Sequence, residues 1–228
     1  MFLIQVRFWI VVLTALCSPI SVSADTVTLY TAELPGLHQS DGSGKYDVFL
    51  NKAAAVAGVD LKIIYWPVAR AITAFQNCEN CCANPCTQAP GIDYCEGANL
   101  SKPLSVSRLY VFTGSSKDPI SDLATLKGKT VGKLQGMQIG EAVPAAGSNL
   151  IEIADIASAL QMLDLGRLDA FAAWTPDIFN YLSQNNLPPL SYVAEAPVLT
   201  VSEHLGCKGL TGQKLIDAAN ALRFRLLN

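Results

Sequence analysis

The 228-residue sequence predicts an α/β protein with a mainly parallel sheet in each of two halves. Two observations lead there. Strand-like and helix-like runs alternate along the chain, the order that builds parallel βαβ units. The stretch 122–140, DLATLKGKTVGKLQGMQIG, then restarts that pattern in mid-sequence. In it a helical turn ends at Gly128, residues 129–134 read as a buried strand, and Gln135-Gly136 opens a helix carrying Ile139 and Val143. A strand that hands a glycine-containing loop to a helix N-terminus leaves backbone N–H groups free for polar ligand atoms.

The first 24 residues read as an export signal. Arg7 is the only charge before Asp25, residues 8–16 are an apolar run broken only by Thr14, Pro19 follows, and Val22-Ser23-Ala24 places small residues at a cleavage site. The apolar run is shorter than the roughly 20 residues that span a bilayer. Leu16 is too bulky to precede a lipidated Cys17, and no second segment is apolar for long enough to cross a membrane. Taking 24 from 228 leaves 204 residues, with 15 Lys and Arg against 19 Asp and Glu, a net charge of −4. That length holds one sizeable core or two small lobes. A mildly acidic chain without a basic cluster excludes nucleic acid and an anionic membrane surface as partners.

Along the mature chain, residues 27–30 form a short strand, and a loop runs to Tyr46. Residues 46–57 form a helix with Val48, Phe49, Ala53 and Val56 on one face, stopped by Gly58. Residues 61–65 are a second strand and 67–77 a second helix, with Pro67 suited to its first turn. Residues 78–103 read as a long loop pinned by cysteines. A strand at 109–112 starts the second half, followed by strands at 128–134 and 149–153, a helix at 156–165 and a strand at 169–173.

Six cysteines remain after the signal: Cys78, Cys81, Cys82, Cys86, Cys95 and Cys207. An even number in an exported chain reads as three disulfides, in any of 15 pairings. Cys78 and Cys81 have redox C-x-x-C spacing, but they follow a helix instead of opening one, so nothing there lowers a thiolate pKa. The tight cluster lacks the second ligand pair and the nearby histidine of a zinc site. No metal and no cofactor is expected.

Several motifs point further. Tyr30-Thr-Ala-Glu-Leu-Pro35 fits a strand followed by E-x-P-P, and Lys45-Tyr-Asp-Val-Phe-Leu50 fits G-F-D-V-D-L at a helix start. Tyr65-Trp-Pro-Val-Ala-Arg-Ala71 fits P-W-x-R-A, Leu100-Ser-Lys-Pro-Leu104 fits F-S-x-P-L, and Gly166-Arg-Leu-Asp-Ala170 fits G-R-x-D-A. With the 122–140 stretch, close to DLKGKTVGVQKGT, they resemble the bacterial family-3 extracellular solute-binding proteins over nearly the whole mature chain. The resemblance implies the periplasmic binding protein type II fold: two lobes joined by crossing strands, a ligand cleft between them, and hinge closure on binding. Lobe one would take 25–107 and regain 196–228, and lobe two would take 108–195. It also implies that all six cysteines lie in lobe one and that Cys207 pairs with one of the other five.

The departures from the family pattern matter too. Its amino-acid binders place an arginine in T-x-E-R shortly before F-S-x-P, to clamp the ligand carboxylate. Here residues 87–93 read TQAPGID, and Trp174 replaces the aspartate that holds the ligand amino group. Both halves of the amino-acid clamp are missing, so an atypical member with a more aromatic cleft is expected.

The candidate ligand residues are Glu33, Tyr46, Trp66, Arg70, Gln135, Gly136 and Trp174. Arg70 follows Trp66 by one helical turn and would grip an anionic or carbonyl group. Trp66 and Trp174 would sandwich a flat ligand from opposite lobes, Glu33 would meet a cationic group, and Tyr46 would cover it. An enzyme is not expected: His38 and His204 lack a nucleophile context, and no G-x-S-x-G, H-E-x-x-H or phosphate loop occurs. The expectation is a monomeric periplasmic protein that takes a small polar molecule to an inner-membrane ABC-type permease or a sensor. The alternative is a secreted cysteine-rich sensor or interaction module, for which Asn99-Leu-Ser101 would be a glycosylation site.

Overall fold

A computed structural model describes residues 25–226, so the export signal read at 1–24 lies outside the described residues. The chain forms a mixed α/β fold of two lobes. Lobe one opens with β1 (Asp25–Thr31), α1 (Lys45–Ala57), β2 (Val59–Tyr65), α2 (Val68–Gln76) and β3 (Cys81–Cys86). Then come β4 (Asn99–Leu100) and β5 (Ser105–Phe112), followed by β6 (Thr130–Leu134), α3 (Ala142–Ala145), β7 (Asn149–Ile153), α4 (Ile156–Asp164), β8 (Ala170–Thr175) and α5 (Asp177–Gln184). The chain ends on β9 (Leu199–Cys207) and α6 (Gly209–Leu226).

The strands run β2-β1-β3-β9-β5-β8-β6-β7, with β4 also against β9. Each end of this order is parallel, as the βαβ pattern requires, while β5 and β9 are antiparallel in the middle. Strand β9 is the joint. Its residues Leu199–Glu203 pair with β5 in the lobe-two sheet, and His204–Cys207 pair with β3 in the lobe-one sheet. The alternation Val201, Glu203, Leu205, Cys207 puts every second side chain inside along its whole length.

Lobe one packs β1, α1 and α6 together through Leu29, Leu50, Leu205, Leu215 and Ala219. In lobe two the sheet is covered on both faces, by Phe112, Leu163, Phe171 and Ile178 on one side and by Leu126, Val131 and Val143 on the other.

Three local readings differ from the sequence expectation. In α1 the buried residues are Tyr46, Asp47, Leu50, Ala53 and Ala54, while Val48 and Val56 are 43% and 62% exposed. Both sets have helical spacing, and the contact with α6 together with a buried partner for Asp47 selects the phase. Gly58 does end the helix, at φ 66° with its N–H on Ala54 and Ala55 carbonyls. The expected loop 78–103 contains β3, a central strand paired with both β1 and β9. Its cysteines and Pro85 hide it from any strand propensity. Pro85 is tolerated because the ladder to β9 shifts register between Ala83 and Cys86. Lastly, no helix opens at Gln135. Gly136 and Gly140 have φ of 74° and 67°; residues 135–136 form a turn, 137–141 are irregular, and only the four-residue α3 follows.

The cysteines stand in three close pairs. Cys78 lies beside Cys81, Cys86 beside Cys95, and Cys82 beside Cys207, with Cα separations of 6.1, 5.8 and 4.0 Å. The last pair is cross-strand, where β3 meets the lobe-one end of β9.

Candidate functional site

The two lobes meet along a cleft floored by the crossing strands. From lobe one come the loop after β1, the start of α2 and the segment following β3; from lobe two come the turn after β6 and the start of α5. Polar contacts clasp the lobes together. Gln138 and Asp93 exchange two hydrogen bonds of 3.1 Å, and the Asn180 amide donates to Pro35 O at 2.8 Å. Gly136 approaches α2 so closely that a Cβ there would lie 2.7 Å from the Ala69 nitrogen. Only glycine fits such a left-handed position against another lobe's backbone.

Within the closed cleft are three small adjoining cavities of about 70, 40 and 20 Å³. The outer part is mostly apolar, with Tyr30, Ile72, Phe75 and Met137 among its walls. The inner part is lined by Thr87, Tyr94, Gln138, Trp174, Asp177 and Glu203. Among the described residues the walls of these cavities contain no Lys or Arg.

The inner acids are differently placed. Glu203 is 7% exposed and sits in the inward phase of β9. Its carboxylate accepts from Ser105 Oγ at 2.6 Å and also from Ser107 Oγ and the Tyr46 hydroxyl. Hydroxyl donors on both oxygens offset much of the cost of burying that charge. Burial and the adjacent carboxylate push the Tyr46 phenol upward, so it stays a donor. Asp177, in the first turn of α5, lacks such support. Burial foremost, then the charge of Glu203, push its carboxyl up to about 8, so it is protonated at neutral pH.

A second buried network shapes the lobe-one wall. His38 is fully buried, with Nδ1 2.5 Å from Asp47 Oδ1 and Nε2 2.8 Å from Asn84 Oδ1. The Asn84 amide nitrogen donates to His204 O at 2.9 Å, which turns its oxygen toward the imidazole. Both ring nitrogens are thus held by oxygens of neighbouring side chains. Asp47 also accepts from Gln39 N at 2.7 Å. The loop after β1 is thereby tied to α1 and β3.

The residues expected to bind ligand fall into separate places. Trp174 lines the inner cavities, and its Nε1 donates to Gln138 O at 3.1 Å. Tyr46 lies behind Glu203 and not over the cleft. Trp66 stacks on Tyr30 at 5.5 Å, and the exposed Arg70 lies over the Trp66 ring at 5.8 Å. Neither lines these cavities, and the wall facing Trp174 from lobe one is Tyr94 with Thr87. Glu33 is exposed and accepts from Ser40 N at 3.3 Å. Gln135 is exposed, and Gly136 is filled by Ala69.

The cleft walls also include Asp177, Glu203 and Tyr94, which the sequence reading did not single out. Glu203 had a signal: it is the one acid in the inward phase of an alternating run, 201–207. Asp177 had a weaker one, an acid just past the strand that ends at Thr175. Tyr94 had none, because its place depends on the cysteine-pinned loop.

This arrangement is the fold known as periplasmic binding protein type II, and solved structures of similar shape share it. The substrate-binding protein of an amino acid ABC transporter superposes with a TM-score of 0.69 at 21% identity, covering 89% of this chain and 93% of that one. The GluR0 ligand-binding core in complex with L-glutamate gives 0.73 at 16% identity, over 91% and 95%. Holo ArgBP from T. maritima gives 0.68 at 17% identity, over 90% and 91%. No protein-family model and no curated protein matches the sequence. Among the described residues no helix is long and apolar enough to cross a membrane.

Proposed function

We propose that this chain is an exported solute-binding protein that closes its lobes around a small polar ligand carrying a positive charge. The solute then passes to an inner-membrane importer or is presented to a sensor, and the three cysteine pairs are disulfides formed in the periplasm. The observation that carries this reading is the inner wall of the cleft: Asp177 and Glu203 with Tyr94 and Trp174, and no Lys or Arg beside them among the described residues. Solved relatives in shape hold glutamate or arginine, so a ligand of amino-acid size is the natural starting point. The missing carboxylate clamp argues against a free α-carboxylate, whereas an amine or guanidine meets two carboxyls and two aromatic faces.

The protonated Asp177 supplies a signature. A bound cation favours its ionised form, so at pH 7 binding should release close to one proton per chain, given a free carboxyl poised at about 8. Calorimetric titration with putrescine, choline, arginine, glutamate and glucose, repeated in phosphate and Tris, reads both affinity and proton release. The reading expects an amine to bind with buffer-dependent heat. Preference for glutamate or glucose, with no proton exchanged, overturns the cationic assignment.

A further inference from the structure

A cavity much larger than those of the cleft lies outside it. Its volume is about 690 Å³, within the roughly 300–1,000 Å³ of sites that take small organic molecules. Tyr46 and Ser105 form its back wall, and behind them stands Glu203, which lines the cleft. One layer of hydroxyls and a carboxylate therefore separates the two spaces.

The composition of this cavity is unlike that of the cleft. Its apolar surface includes Val48 and Phe49 of α1, Val106 of β5 and Phe179 of α5. Val48, Val106 and Phe179 are 43%, 48% and 37% exposed, so apolar side chains from both lobes are left uncovered around one hollow. Lys45, Lys52 and Arg108 stand around it as well, with no Asp or Glu among the lining residues. None of the three forms an ion pair among the described residues. Glu203, behind Tyr46 and Ser105, is not itself part of the lining, and its oxygens accept from hydroxyls and not from any of the three cations.

Three unpaired cations around an apolar hollow select by charge and by hydrocarbon at once. A neutral polar solute leaves the apolar wall unfilled, and an amphipathic cation is repelled. An amphipathic anion satisfies both, with its body against Phe49, Val106 and Phe179 and its head among the cations. We propose that this cavity is a second binding site, for a hydrocarbon carboxylate of medium chain length. It is independent of the ligand assigned to the cleft. Because α1 belongs to lobe one, α5 to lobe two, and β5 pairs with the joint strand β9, the occupant would touch both lobes beside the hinge.

The test uses sodium decanoate, below its micelle concentration, titrated calorimetrically into the protein at low ionic strength. Decyltrimethylammonium serves as the cationic counterpart. The variants are the triple substitution Lys45→Gln, Lys52→Gln and Arg108→Gln, and separately Val106→Ser, with melting temperature and circular dichroism confirming that each folds. The expected result is saturable binding of one decanoate per chain, weakened at least tenfold in the triple variant and several-fold in Val106→Ser, with decyltrimethylammonium not binding. Equal binding of the two amphiphiles, unchanged decanoate affinity in the folded triple variant, or no saturable decanoate binding to the parent protein overturns the proposal.

Discussion

Replacing Asp177 with asparagine should change how the stability of the ligand-free protein depends on pH. The native carboxyl titrates at about 8, lifted by burial and then by Glu203, whereas in the unfolded chain it returns to about 3.9. Between those values the native state holds a proton that the unfolded state has lost. Stability therefore falls as pH rises through this window, by about 1.4 kcal/mol per pH unit. The contribution is fully present below the unfolded pKa and is lost as pH rises to the folded one. From pH 5 to pH 7 the difference is about 2.6 kcal/mol, or about 5–10 °C in melting temperature for a chain of this size. The amide introduced by Asp177→Asn cannot titrate, so the variant should lack this slope. Melting temperatures of both proteins, read by scanning calorimetry at half-unit steps from pH 5 to 8, give the answer as a difference. Both histidines are common to the two proteins and cancel. Curves that run parallel would refute a raised Asp177 carboxyl, and with it the proton-release signature of the cleft.

Other outcomes follow from the same geometry. Trp174→Ala should weaken cleft-ligand binding at least tenfold, about 1.4 kcal/mol, without loss of the fold, because the ring walls the inner cavities and anchors the Gln138 carbonyl; unchanged affinity would remove it from the site. Gly136→Ala places a methyl 2.7 Å from the Ala69 nitrogen at a φ of 74° and should hold the lobes apart; a scattering radius and a ligand affinity equal to the parent's would contradict that. Removing the Cys82–Cys207 pair as Cys82→Ser with Cys207→Ser opens a cross-link of sequence separation 125, worth about 5 kcal/mol by chain entropy. Denaturant unfolding reads the loss, and intact stability, or a free thiol at Cys207 in the parent by non-reducing peptide mapping, would show that no bond is there.

The sequence by itself determined the alternation of strands and helices, hence parallel sheet at both ends of the strand order, and most element positions. Residues 149–153 were read as they stand, and Gly58 as the stop of α1, because hydrophobic spacing and a left-handed glycine are local signals. Its ordered motifs also pointed to the two-lobed fold. Tertiary structure decided the rest, wherever two distant segments had to meet. Strand β3 exists because β1 and β9 offer it partners on both sides, against the propensity of its cysteines and Pro85. The phase of α1 was settled by α6 and by the buried His38 that receives Asp47. The acid of the cleft is likewise a tertiary property. A carboxyl at position 177 is ordinary in water, and only the closing of lobe one over α5, beside Glu203, withdraws the solvent that would keep it ionised.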